Sequence, residues 1–138
     1  SLAIQEALIL EIEKARKQGK IVLMDRGPLS LAAYQVYGSG IDKQIGMPYV
    51  EDGISRIKPD ITLLYRLDID RAITRARNSS SKPDYFENKP ISYFQKVADG
   101  YIEMSGMFQV DIINGDKSID EVSKQTMTVI SSKLQSLK

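Results

Sequence analysis

Apolar positions fall into two kinds of block along this chain: long stretches spaced by three and four residues, and short unbroken runs. The first kind reads as helix and the second as buried strand. From Leu2 to about Gln18, Leu8, Ile12 and Ala15 line one face, Glu13 and Lys17 form an i,i+4 pair, and Gly19 stops the pattern. Ile21 to Met24 is an unbroken apolar run that suits a strand covered on both faces. It ends at Asp25 and Arg26; Gly27 and Pro28 then turn the chain, Pro28 being suited to the first position of a helix that continues from Ser30 to about Tyr37. Gly38-Ser39-Gly40 breaks that helix. Between Ile41 and Ile57, Gly46 and Pro48 interrupt a weak helical pattern, predicting one or two short helices.

Pro59-Asp60 opens a second strand, Ile61 to Leu67, which ends at Asp68; Asp70 is placed to cap a helix through Ala72, Ile73 and Ala76. The polar stretch 78–90, with two prolines, reads as a mobile loop, though for such a segment taken alone a surface connection without function is the commoner case. Ile91, Phe94, Val97, Tyr101 and Met104 then define a helix of roughly four turns. A third strand spans about Gln109 to Ile113 and closes at Asn114-Gly115-Asp116. Ser118 and Glu121 form a capping box for a last helix expected to bury Ile119, Val122, Val129, Ile130 and Leu134.

Alternating helices and strands in this order predict an α/β fold: a three-layer α/β/α arrangement with a parallel sheet, in one domain over residues 1–138. Three strands make a thin sheet for so many helices. Open sheets of this kind bind ligands at the carboxyl ends of their strands, which singles out Asp25 and Arg26. A salt-bridged pair at a strand terminus explains the same two residues without a ligand.

Composition narrows the chemistry. The 42% hydrophobic and 27% charged residues are ordinary for a globular protein, and 19 Lys+Arg against 18 Asp+Glu create no global field for nucleic acid or an anionic membrane. With 0 Cys and 0 His, nucleophilic Cys-His and Ser-His-Asp chemistry and thiolate metal sites are excluded. No apolar run approaches a membrane span and no signal peptide is evident, so a cytoplasmic location is the expectation. Arginines beside acids able to hold magnesium suit phosphate chemistry, which needs positioning and charge neutralisation rather than histidine. Glycoside hydrolysis by a pair of carboxylates such as Asp25 and Asp68 fits less well, because it requires a defined separation across a sugar site that the sequence does not support.

Five segments then carry a resemblance. DRGPLSLAAYQ resembles the DRY-x-x-S-x-x-AYQ signature of thymidylate kinases, and PDITLLYRLDIDRAITRAR their PD-x-T-x-x-LDV-x-x-x-x-A-x-x-R strand and helix. DYFE is similar to the DRFE or ERYE that ends the family's lid, FQKVADGYIEM to F-x-x-VR-x-x-Y-x-x-x, and VDIINGDKSIDEVSKQTMTVI to the closing strand and helix. The likeness covers about residues 5 to 134. It implies a P-loop nucleoside monophosphate kinase that moves the γ-phosphate of ATP to dTMP with magnesium, as a homodimer packed through helices. Position by position, the resemblance assigns Arg26 to the monophosphate and the transferred group, and Asp25 to Arg26's support or to the metal. It assigns Ser30, Leu31, Tyr34 and Gln35 to the thymidine pocket, Arg75 to the adenine, Lys82 in the lid to the nucleotide, and Phe86 and Glu87 to lid closure over the acceptor.

Departures from the family pattern carry expectations of their own. No G-x-x-x-x-GK-[ST] occurs, so ATP lacks its phosphate cradle within this sequence. The family places that motif on a first strand lying centrally, between the runs at Ile21 and Ile61. The expectation is therefore the C-terminal two-thirds of a longer thymidylate kinase-like fold, lacking the central strand and inactive alone. Ser79, Ser80 and Tyr85 stand where many bacterial relatives have lid arginines, which points to the subtype that supplies its catalytic arginine from the P-loop. Ile4 or Gln5 stands where an arginine normally meets the thymine, leaving base specificity open. Two other readings remain: a deoxynucleoside kinase-like P-loop enzyme, and a non-catalytic nucleotide-binding or assembly module.

Overall fold

The computed structural model describes residues 2–79 and 89–136. They form two compact units, residues 1–60 and 61–138.

In the first unit, α1 (Leu2–Lys17) packs on α3 (Lys43–Ile57), and Ile9, Ile12 and Ile57 form a buried cluster. The inward residue at the start of that face is Ile9 rather than Leu8, which is exposed. Arg16 locks the junction by donating to the carbonyl of Ile57 at 2.6 Å and of Lys58 at 3.4 Å. These carbonyls end α3 and lack partners in the helix, so a guanidinium there satisfies them and opposes the negative end of the helix dipole.

Between Gly19 and Gly27 the expected strand does not form. Ile21 to Met24 is irregular and exposed, with Ile21 at 93% and Leu23 at 94% of full accessibility. A strand is stabilised by its ladder partners, and among the described residues this run has none. The chain then enters α2 (Pro28–Leu31), which continues as a π-helical segment, Ala32–Gly38. The wider turn is visible in the Ser39 N–H donating to the Tyr34 carbonyl at 3.0 Å, five residues back. Gly40, at φ +78°, ends the segment in the left-handed conformation that glycine accepts without strain.

α3 is one helix rather than the expected one or two short pieces. Asp42 caps it by accepting from Gln44 N–H at 2.8 Å, and Met47, Val50, Gly53 and Ile57 bury a continuous face across Pro48. Packing of that face on α1, α2 and the π-helical segment outweighs the hydrogen bond that proline removes.

In the second unit β1 (Leu63–Arg66) and β2 (Asp111–Asn114) pair in parallel, Leu63 opposite Asp111 and Arg66 opposite Asn114. The three-strand expectation thus becomes two strands among the described residues, which is a partial α/β fold. Both strands are shorter than their apolar runs. α4 (Ile69–Ser79) follows β1, and α5 (Ile91–Met107) buries Tyr93, Val97, Gly100 and Met104; of the residues whose spacing defined this helix, Val97 and Met104 are buried, Phe94 and Tyr101 half-buried and Ile91 exposed. α4 is capped by Asp68, whose carboxylate accepts from Arg71 N–H at 3.2 Å; Asp70 lies in the first turn instead.

α6 (Ile119–Ser136) packs on β2, with Lys133 3.2 Å from Asp111 and the Gln125 side chain accepting from Asn114 N–H at 3.3 Å. The expected burial does not hold: Ile119 is 88% and Leu134 51% exposed, and Val122, Val129 and Ile130 are only half-buried. The capping box is present. Glu121 accepts from Ser118 N–H at 3.0 Å and from its hydroxyl at 2.7 Å, while the hydroxyl accepts from Glu121 N–H at 3.3 Å. The Ser118 hydroxyl first, then its N–H, hold the Glu121 carboxyl below the usual carboxylate range.

Ser118→Ala is expected to cost about 1 kcal/mol at neutral pH, read by thermal melting of the full-length protein. A depressed folded pKa contributes stability above the unfolded value and loses it as pH falls through the folded one. The melting difference between wild type and Ser118→Ala therefore shrinks on acidification.

Candidate active site

Asp25 and Arg26 sit in an exposed bend leading into α2. Gly27 is extended at φ −164° and its carbonyl accepts from Ser30 N–H at 2.9 Å and Leu31 N–H at 3.2 Å, while buried Pro28 starts the helix. Arg26 itself is left-handed, φ +64°. For a residue with a Cβ that conformation costs about 1–2 kcal/mol and persists where the surroundings fix it. One such restraint is visible: the Arg26 guanidinium carbon lies 5.4 Å from the centroid of the Tyr34 ring. Contacts of this kind contribute ~0.5–1 kcal/mol at exposed sites, the same order as the backbone strain.

The structure thus brings Arg26 and Tyr34 together, with Asp25 adjacent in the chain. Ser30 is half-buried on α2, and Leu31 and Gln35 are exposed on α2 and the π-helical segment. No group of three carboxylates able to hold a metal occurs among the described residues. A magnesium ion held at Asp25 would therefore need its remaining ligands from groups other than these carboxylates.

A second concentration of charge lies in residues 61–138, where β1 and β2 end. Asp116 accepts from Asp68 N–H at 3.1 Å and 3.3 Å through its two oxygens and lies 3.7 Å from Arg71. Arg75 donates to the Gly115 carbonyl at 3.2 Å, so its exposed guanidinium is tethered to the turn after β2. A Cβ on Gly115 would sit 3.1 Å from the Arg66 carbonyl and collide with the Leu67 side chain, so glycine lets the turn close against β1. Arg75, Arg71, Asp70 and Thr74 border an open surface depression of about 410 Å³. Sequence reading missed Asp116 and Arg71; the signal was the Asn114-Gly115-Asp116 turn, which a parallel pairing sets beside Asp68. Lys82, Phe86 and Glu87, and nearly all of the expected lid, lie outside the described residues.

These elements define a parallel α/β protein whose charged groups gather at turns that open helices. The comparisons make that class specific. A family model described as thymidylate kinase matches residues 2–126. The thymidylate kinase of Halalkalibacterium halodurans is 30% identical over 135 residues, covering 96% of this chain and 64% of that protein. Those of Halothermothrix orenii and Kosmotoga olearia are 29% identical over 116 residues and 30% over 115, covering 83% and 82% of this chain. The chain belongs to the thymidylate kinase family. It spans 56% and 55% of the length of the latter two relatives.

Proposed function

We propose that the chain is the acceptor-binding and lid portion of a nucleoside monophosphate kinase that transfers the γ-phosphate of ATP to dTMP, giving dTDP. The observation that carries this reading is the family match over residues 2–126, which includes the Asp25-Arg26 bend and the Arg75 helix. The relatives named above are thymidylate kinases. In this reading Arg26 holds the acceptor monophosphate and steadies the group in transit, its bidentate edge suiting phosphate oxygens. Asp25 supports Arg26 or takes one magnesium position. Ser30, Leu31, Tyr34 and Gln35 wall the thymidine site. Arg75, tethered at Gly115, lies along the adenine; Lys82, Phe86 and Glu87 act from the lid.

The triphosphate cradle and the catalytic arginine belong to a P-loop segment outside these 138 residues. What supports this is the absence of the motif from the sequence together with the exposed run Ile21–Met24. That segment supplies the run with a strand partner. Without it the 138 residues have no kinase activity. The complete enzyme is read as a cytoplasmic homodimer acting on small nucleotides and not on nucleic acid or membranes. No helix among the described residues is long and apolar enough to cross a membrane.

The test is a coupled assay on the full-length protein with dTMP, dUMP, AMP, CMP and thymidine as acceptors. Turnover that favours dTMP is expected. Comparable turnover of AMP or CMP defeats the substrate assignment, phosphorylation of thymidine in place of dTMP supports the deoxynucleoside kinase, and nucleotide binding without turnover supports the binding module.

A further inference from the structure

Arg26 and Tyr34 differ in how firmly each is held. Tyr34 is half-buried in the π-helical segment, where its carbonyl accepts from both the Ser39 N–H and the Ser39 hydroxyl, each at 3.0 Å. Arg26 is exposed, on a left-handed backbone, with its guanidinium carbon 5.4 Å from the Tyr34 ring centroid. The Tyr34 residue, half-buried on a hydrogen-bonded helical segment, is therefore the more enclosed member and Arg26 the one open to solvent. A guanidinium packed against an aromatic ring by its face keeps its N–H donors at the edge, in the plane where carboxylates and phosphates bind. The π-helical turn matters here because it shifts the angular position of every side chain that follows its start relative to a regular helix.

We propose that Tyr34 is a positioning residue for Arg26: its ring holds the guanidinium by the face so that the donor edge is presented to the acceptor monophosphate. This is a role through Arg26, separate from any wall that Tyr34 provides for the nucleoside, and it rests on the reading of Arg26 as the monophosphate clamp. A phenylalanine has the same quadrupolar face and preserves the role, whereas leucine fills similar space without it.

The test compares dissociation constants of dTMP and thymidine for the full-length protein, in wild type, Tyr34→Phe, Tyr34→Leu, Arg26→Ala and the Arg26→Ala/Tyr34→Leu double variant. The ratio of the two constants measures what the phosphate adds to binding. Tyr34→Leu is expected to shrink that ratio about fivefold, Tyr34→Phe to keep it within about twofold, and Tyr34→Leu to change nothing further once Arg26 is gone. Equal loss of dTMP and thymidine affinity in Tyr34→Leu, with the ratio kept, overturns the positioning role and leaves Tyr34 as a pocket wall. A wild-type protein that binds neither ligand defeats the kinase reading instead. Nuclear magnetic resonance then decides the contact itself: Arg26 side-chain protons shifted upfield in wild type and Tyr34→Phe but not in Tyr34→Leu support the platform, and unshifted resonances in wild type sink it.

Discussion

Replacing Arg26 by alanine in the full-length protein is expected to lower kcat/KM for dTMP by roughly 10³-fold while lowering the melting temperature by only about 1–4 °C, the loss of the contact with Tyr34. A guanidinium that grips phosphate makes two charge-assisted hydrogen bonds, each contributing ~2 kcal/mol, and the sum corresponds to about three decades in rate. Stability otherwise escapes because Arg26 is exposed and sits at φ +64°, a conformation that alanine tolerates no worse than arginine. Arg26→Lys is expected to recover only a small part of the loss, since an ammonium on a flexible stem cannot reproduce the planar fork or its packing against Tyr34. Steady-state kinetics with dTMP varied, alongside thermal melting, check both halves. A kcat/KM within about threefold of wild type removes Arg26 from the site and the monophosphate clamp with it.

How much of this was legible in the sequence divides along a physical line. α1, α5 and α6 were readable as helices because three- and four-residue spacing is local, although which residues each one buries was only partly so. The cap of α6 is local too: the Ser118-Glu121 box forms as its residue types dictate, with the hydroxyl and carboxylate satisfying each other's N–H. Element type failed where the outcome depends on a partner. Pro48 is a breaker by its own chemistry, yet α3 runs through it because Met47, Val50 and Ile57 bury a face that no single residue announces. The cap of α4 went to Asp68 instead of Asp70, one of two aspartates two positions apart that both fit the rule; the pairing with Asp116 at the end of β2 favours the first.

Within the candidate site, residue types at the Asp25-Arg26 bend were legible, but not the left-handed backbone at Arg26 or its approach to Tyr34. Those depend on the π-helical segment, whose register has no local signature in Ala32 to Gly38. Asp116 and Arg71 escaped for a related reason. Their partnership is set by the parallel register that puts Arg66 opposite Asn114, a pairing between segments far apart in the chain.

The apolar run Ile21–Met24 supplies the second large effect, because the exposure seen here and the proposed function predict opposite outcomes for one substitution. At 94% exposure, Leu23→Lys replaces a side chain that buries almost nothing, and surface changes of that kind stay within about 0.5 kcal/mol. If a P-loop strand instead covers this run, Leu23 is buried in a parallel sheet. A lysine there loses the leucine's transfer free energy and strands an unpaired ammonium. The resulting cost, ~3–5 kcal/mol, is a large share of a domain's ~5–15 kcal/mol margin. Full-length Leu23→Lys is therefore expected to melt far below wild type or to fail to accumulate. Leu23→Ile provides the control, since a β-branched residue of equal volume keeps a buried strand intact. The measurement is a denaturant or thermal unfolding curve for the three proteins. Equal stability of wild type and Leu23→Lys means that the run is exposed in the complete molecule too, and the proposed strand partner and the P-loop geometry built on it are then abandoned.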